Sequence, residues 1–254
     1  MKIAVCAKQI PDPATPYELD PTTHFVVRPD DQVLDDTDRY GIEVGLQLAE
    51  AAGDDSTVTI ISMSPSGSLQ GIRQALAMGA AKAVVIDDAG LRGSDALTTS
   101  RVLAAAIKRE EVDVVIAGTE STDGYTGVVP QQIAELLGVP SLTFARKVEH
   151  IEGGLRIERQ TGAGYDVVEA TAPLVLSVTS GVVEPRYPTF KGIMQAKSKP
   201  VDTLTSAELG VESAGNQAIQ SVDPVPARQA GEIVEDDGES HLKIVALLEQ
   251  AKVV

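Results

Sequence analysis

The residues of this chain best placed to do chemistry lie in one short polar loop. Gly118-Thr-Glu-Ser-Thr-Asp-Gly-Tyr-Thr-Gly127 sets the hydroxyls of Thr119, Ser121, Thr122, Tyr125 and Thr126 among Gly118, Gly124 and Gly127. Before it, the β-branched run from Val112 to Ala117 reads as a strand buried on both faces. After it, Ile133, Leu136 and Leu137 fall on one side of a helical pattern. A glycine-rich turn from a strand into a helix N-terminus aims backbone N–H groups and a positive dipole end at one point, an arrangement suited to phosphate. The loop matches neither GxGxxG nor GxxxxGK[ST]. The residues therefore leave two readings open, an ordinary strand-to-helix turn and a nucleotide site, with Asp123 the acidic side chain expected to serve a ligand.

Other chemistries lack their residues. His24, His150 and His241 are far apart, none with a neighbour at metal-ligand spacing, and neither GxSxG nor HExxH occurs. The single cysteine, Cys6, excludes an intramolecular disulfide, and its place in a buried strand marks a structural thiol. A net charge of −16 opposes non-specific nucleic-acid binding and docking on anionic membranes. The N-terminal apolar run is too short for a signal peptide, and no stretch approaches the ~18 apolar residues of a membrane span. A soluble cytoplasmic protein is expected. With no Trp, three Phe and five Tyr, its core must be aliphatic.

The elements positioning the loop follow one grammar. Ile3 to Ala7 reads as a first strand, and the prolines of Lys8-Gln-Ile-Pro-Asp-Pro13 exclude a helix after it. A hairpin of Phe25-Val-Val with Gln32-Val-Leu is expected next. Asp35 to Asp38 supply N-cap candidates for a helix in which Tyr40, Val44, Leu48 and Ala51 recur at helical spacing. Further strands are predicted over Thr57 to Ser62 and Ala83 to Ile86. Helices are predicted from about Ser68 to Met78, after the turn Met63-Ser-Pro-Ser-Gly67, and from a cap at Ser94 or Asp95 to Lys108. Alternating strands and helices predict a doubly wound, mostly parallel α/β sheet, with ligand-binding loops converging outside the strands' carboxyl ends.

After residue 145 the pattern changes. Lys147 to Ile151 and Leu155 to Arg159 flank the hairpin signal Glu152-Gly-Gly, and Val167 to Ala170 and Leu174 to Thr179 follow as strands. All four are expected to form an antiparallel group on one sheet edge. Glu184 to Pro200 then gathers Tyr187, Phe190, Ile193 and Met194 with Arg186, Lys191, Lys197 and Lys199. It reads either as a solvated loop leading into a helix or as a docking surface for an acidic partner. Residues 1–200 are expected to form the α/β domain and 201–254 an arm. The arm ends in a capped amphipathic helix from Ser240, of the kind that embraces another subunit.

Four segments together resemble the β subunit of electron-transfer flavoproteins over almost the whole length: Lys2 to Asp12, Ile72 to Ala80, Gly118 to Gln131, and Glu184-Pro-Arg-Tyr through Lys197, the last being the most specific. The resemblance implies a Rossmann-like, adenine-nucleotide-binding fold and a heterodimer. Its α subunit would hold the redox-active FAD, and this chain AMP in a structural role. In the bifurcating branch a second FAD that takes a hydride from NADH replaces the AMP. The resemblance places the nucleotide at Cys6 (through its backbone), Asp35, Asp36, Thr37, Asp38, Met63, and Asp123, Gly124, Tyr125, Thr126, Gly127, Val128, Val129, Pro130, Gln131 and Gln132. Backbone donors of Tyr125 to Val129 and the helix starting near Pro130 would receive the phosphate. Acyl-CoA dehydrogenases would dock on Arg186, Tyr187, Phe190, Lys191, Ile193, Met194 and Lys197, and electrons would pass on to a membrane quinone oxidoreductase. The chain would be a carrier subunit without catalytic residues.

The sequence departs from the family pattern at four places. Gly162-Ala-Gly164 stands where acidic and glycine residues are usual. Gly127-Val-Val-Pro-Gln131 replaces an Asn-Gln-Thr-Gly-Gln run, Phe190 stands where leucine is frequent, and Gln195 where lysine is common. A stand-alone nucleotide-binding regulatory module is the competing class. The partner segment and the terminal arm oppose it, since a solitary module needs neither.

Overall fold

The computed structural model describes all residues except 54, 65–68, 214, 216, 224, 227–229, 232 and 237. Met1–Ile219 forms one unit and Gln220–Val254 a second. The first unit is built from β1 (Lys2–Cys6), β2 (Gln9–Ile10), β3 (Val33–Leu34), α1 (Asp36–Ala52), β4 (Thr57–Met63), α2 (Gln70–Met78), β5 (Lys82–Ile86), α3 (Ala96–Glu110), β6 (Val114–Gly118) and α4 (Val129–Leu137). It continues with β7 (Ser141–Ile151), β8 (Gly154–Thr161), β9 (Gly164–Thr171), β10 (Leu174–Val178), α5 (Phe190–Ala196) and β11 (Val201–Leu204). Nine strands make one sheet in the order β11-β5-β4-β1-β6-β10-β7-β8-β9. Pairing is parallel from β11 to β7 and antiparallel through β8 and β9.

Strand alternation sorts the core into two layers. Ile3 and Val5 of β1 join Ile42, Leu46, Ile72 and Leu76 of α1 and α2. Ala4 and Cys6 join Val102, Ile107 and Ile133 of α3 and α4 on the other face. Burying an aliphatic side chain such as Ile60 or Ile116, both fully enclosed, contributes about 1.5–3 kcal/mol. α1 seats closely because Gly45 faces the sheet, where a Cβ would come within 3.0 Å of Val5 Cγ2. The chain winds from β1 towards β4 and β5, then returns to β6 on the far side of β1. The switch point thus lies between β1 and β6, and the loop after Gly118 leaves from it.

Several expectations need correction. Val33–Leu34 pairs with Gln9–Ile10, while Val26 bridges Leu19. The hairpin of Phe25-Val-Val with Gln32-Val-Leu is therefore absent. Ile10 and Leu34 are 1% and 2% exposed, and pairing β3 with the continuation of β1 buries both together. β10 does not belong to the antiparallel edge group: it lies between β6 and β7, parallel to both. All five of its residues are buried, as an internal parallel strand requires. Residues 201–204, expected in the arm, form the outermost strand beside β5. Alternation over four residues is too short a signal to separate an edge strand from a linker. The turn at residues 65–67 and the helix start at residue 68 lie outside the described residues.

The second unit contains α6 (Ser240–Gln250). Ser240 lies inside the helix and donates to Asp236 Oδ1 at 3.0 Å, while Glu239 occupies the cap position without a capping side-chain bond. No residue of α6 is buried, and Leu242, Ile244, Val245, Leu247 and Leu248 are all exposed.

Candidate functional site

The ends of β1 and β6 and the start of α1 meet around three buried carboxylates, those of Asp35, Asp38 and Asp123. Asp35, fully buried, caps α1. Its Oδ1 accepts from the Thr37 N–H at 3.0 Å and the Thr37 hydroxyl at 2.9 Å. Its Oδ2 accepts from the Thr122 N–H at 2.8 Å and the Thr122 hydroxyl at 3.0 Å. Four donors satisfy the carboxylate completely, tying the helix start to the glycine loop. Asp123 is similarly turned inward, with its side chain 1% exposed. It accepts from Lys8 Nζ at 2.6 Å and is ion-paired to Arg28. Burial pushes its carboxyl up, but Lys8 and then Arg28 outweigh that, and its pKa is lowered. Asp123 therefore shapes the loop from inside.

Asp38 Oδ2 accepts the Lys8 N–H at 2.6 Å. Burial and the neighbouring Asp35 hold its carboxyl well above the usual range. Burial, with a contribution from Asp38, pushes the Cys6 thiol up to about 12, so only its backbone is suited to a ligand. Asp36 is exposed and pairs with Arg39 at 3.1 Å. Met63 packs partly buried against the α3–α4 layer. Gly118 lies so close to α1 that a Cβ would stand 3.3 Å from Asp38 Oδ1 and 3.4 Å from Thr37 Oγ1.

Beyond Asp123 the loop turns outward. Tyr125 adopts φ +47° and Gly127 φ +64°. For Tyr125 this left-handed backbone is uncommon and is held by the surrounding contacts, a pattern associated with functional loops. The N–H groups of Gly124 and Tyr125 donate to the Ser121 carbonyl at 3.3 and 3.0 Å. Tyr125 thus drops out of the expected phosphate donors, because its N–H is already engaged. The N–H groups of Thr126, Gly127, Val128, Val129 and Gln131 find no acceptor among the described residues. Pro130, in the first turn of α4, has no N–H. Gln131 Oε1 is buried without a partner among the described residues, whereas Gln132 Oε1 accepts from the Ser100 hydroxyl at 2.8 Å. Free N–H groups in the turn leading into a helix N-terminus match the needs of a nucleotide phosphate, whereas the unpartnered Gln131 Oε1 is an acceptor and cannot serve that anion.

The partner segment is fastened on both sides. Arg186 makes paired bonds to Glu43 (Nε–Oε2 2.7 Å, Nη2–Oε1 3.0 Å) and to Glu50 (Nη1–Oε1 2.6 Å, Nη2–Oε2 3.2 Å). Lys199 Nζ donates to the carbonyls of Leu76 and Ala80, and Arg73 to those of Ala196 and Lys199. Arg186 and Lys199 therefore spend their charges within the protein, whereas Lys191 and Lys197 make no ion pair among the described residues. Tyr187 and Phe190 are 84% and 81% exposed, and Ile193 and Met194 are also exposed.

Lys8, Arg28 and Glu43 were not among the expected site residues, and Thr122, expected only as one of the loop hydroxyls, is the partner of Asp35. A lysine at the carboxyl end of the first strand is a faint signal for Lys8, but nothing in the sequence marks Arg28, which reaches Asp123 from an irregular segment 95 residues away. Among the described residues no His, Cys, Asp or Glu group is arranged to hold a metal, and no helix is long and apolar enough to cross a membrane.

Comparison with known proteins agrees with this architecture. The family model described as "Electron transfer flavoprotein domain" matches residues 23–209. The chain is 44% identical to the electron transfer flavoprotein subunit beta of Mycobacterium tuberculosis over 265 residues, covering 99% of each chain. It is 34% identical to the subunit of that name from Megasphaera elsdenii, covering 94% of each. It is also 32% identical to the caffeyl-CoA reductase-Etf complex subunit CarD of Acetobacterium woodii, covering 92% of each. With its glycine-rich loop at the switch point and these likenesses over nearly its full length, the chain belongs to the electron transfer flavoprotein family, as a β subunit.

Proposed function

We propose that this chain works as the non-catalytic half of a heterodimeric electron carrier. Electrons would enter from acyl-CoA-type dehydrogenases, reside on FAD held mainly by the α subunit, and leave to a membrane quinone oxidoreductase. AMP in the β pocket braces the subunit. The observation that carries the nucleotide reading is the set of unpaired N–H groups from Thr126 to Gln131 at the start of α4. Thr126, Gly127, Val128, Val129 and Gln131 would hold the phosphate, with Cys6 contributing backbone only. Asp35 and Asp123, saturated inside the protein, keep the loop in shape. The bound nucleotide supplies negative charge to a donor cluster that is otherwise unsatisfied, and in this reading it takes no part in redox chemistry.

The docking reading is supported by the exposed Tyr187, Phe190, Ile193 and Met194 beside Lys191 and Lys197. It is also supported by the relative named as part of a caffeyl-CoA reductase complex, a partner acting on a CoA thioester. The arm with the exposed apolar side of α6 is the part proposed to embrace the α subunit. Denaturing the purified heterodimer and separating the released nucleotides by chromatography tests the assignment. One FAD and one AMP per heterodimer is the expected result. Two FAD would replace it with a bifurcating subunit that takes hydride from NADH.

A further inference from the structure

Arg186, expected on the docking surface, turns its guanidinium into the protein. Four hydrogen bonds join it to Glu43 and Glu50, and its own backbone N–H donates to Glu43 Oε2 at 3.1 Å. The Glu43 side chain is 4% exposed and receives a further bond from Gln47 Nε2 at 2.8 Å. A carboxylate buried on α1 is costly unless paired, and the partner that satisfies it comes from 143 residues away in the chain. A planar fork engages each of two carboxylates through paired N–H groups, a geometry that the point charge of an ammonium does not reproduce.

What the clamp holds is informative. Between β10 and α5 the chain has no regular structure, and Arg186 immediately precedes Tyr187. On the far side, Thr189 caps α5 by accepting from the Gly192 N–H at 3.0 Å. Gly192 itself sits against α2, where a Cβ would be 2.5 Å from the Ala77 carbonyl oxygen. Tyr187 and Phe190 thus stand exposed between two fixed points.

We propose that Arg186 is a positioning residue for partner docking: clamped by Glu43 and Glu50, it presents Tyr187 and Phe190 as a preformed anchor. The proposal rests on the docking reading given above. An exposed aromatic on a loose loop would have to be ordered at each encounter, whereas on a clamped loop it is ordered by folding. The clamp also joins the docking loop to α1, whose N-terminus Asp35 ties to the nucleotide loop.

The test uses the complete heterodimer, with an acyl-CoA dehydrogenase and its acyl-CoA substrate as electron donor. Glu43→Gln and Arg186→Lys are expected to raise KM for the dehydrogenase-coupled reaction about tenfold, a loss of roughly 1.4 kcal/mol in binding. kcat and nucleotide content should stay unchanged, and chymotrypsin should cut faster after Phe190. Phe190→Ala should raise KM as well, and combining it with Glu43→Gln should do no further harm, because the clamp acts through the anchor. Additive losses, or a normal KM in Glu43→Gln beside a raised KM in Phe190→Ala, would overturn the positioning role while sparing the docking reading. A normal KM in Phe190→Ala would sink both. If Arg186→Lys fails to fold, Glu50→Gln, whose carboxylate is 61% exposed, weakens the same clamp from the surface.

Discussion

Replacing Asp123 by Asn examines the loop at its most enclosed charge. The carboxylate is 1% exposed, but its partners Lys8 and Arg28 are 38% and 31% exposed. Breaking a fully buried pair costs about 3–5 kcal/mol. Here both cations reach water and recover much of their hydration, which lowers the expected loss to about 2 kcal/mol. For a unit of this size that corresponds to a melting temperature lower by roughly 4–8 °C. The released loop should also lose its hold on nucleotide, because the N–H cluster depends on the turn that Asp123 anchors. The sign with pH follows from the lowered pKa. A carboxyl with a depressed folded pKa contributes stability above its unfolded value near 4 and loses it as the pH falls through the folded value. Thermal melts of wild type and variant should therefore differ by a constant amount from about pH 5 to 8 and converge below about pH 4. Equal melting temperatures at pH 7 with full nucleotide retention would refute the reasoning. So would a gap that persists undiminished in acid.

Three other perturbations test separate parts of the structure. Asp38→Asn should stabilise the protein at neutral pH, read as a higher melting temperature. The amide still accepts the Lys8 N–H but has no ionisation cost, which is present only above the unfolded pKa; the gain should vanish in melts near pH 3. The Cys6 thiol, raised to about 12, should resist alkylation at about pH 8 in the folded protein and react fully in denaturant, as followed by peptide mass. Gly192→Ala should push α5 away from the Ala77 carbonyl. The expected signature is faster proteolysis after Lys191 and Lys197, with a stability loss of about 1–3 kcal/mol if the helix stays seated.

The strands and helices that position the loop were readable because each is governed by local rules. Asp95 caps α3 through the Thr98 N–H at 2.7 Å, Gly79, the residue after the expected helix end at Met78, has positive φ, and the hairpin turns at Glu152-Gly-Gly as expected. Failures occurred where the choice of partner was not local. Val33–Leu34 had two available partners, and the buried Ile10 decided between them. Leu174–Val178 carries the apolar run of an internal strand, but the strands it would lie between cannot be read from the run itself.

The same division runs through the functional residues. Sequence by itself determined that a glycine-rich, hydroxyl-bearing turn leads from a buried strand into a helix, since backbone donors at a helix start follow from local chemistry alone. It also determined that aromatic and basic residues gather near Phe190. Tertiary structure decided what each charge does. Asp123, Arg186 and Lys199 all looked available to a ligand or partner, yet each is consumed inside the protein by groups from remote parts of the chain. A charge declares its type in sequence, but whether it faces water or a counter-charge depends on contacts between distant segments, which form only when the sheet brings them together.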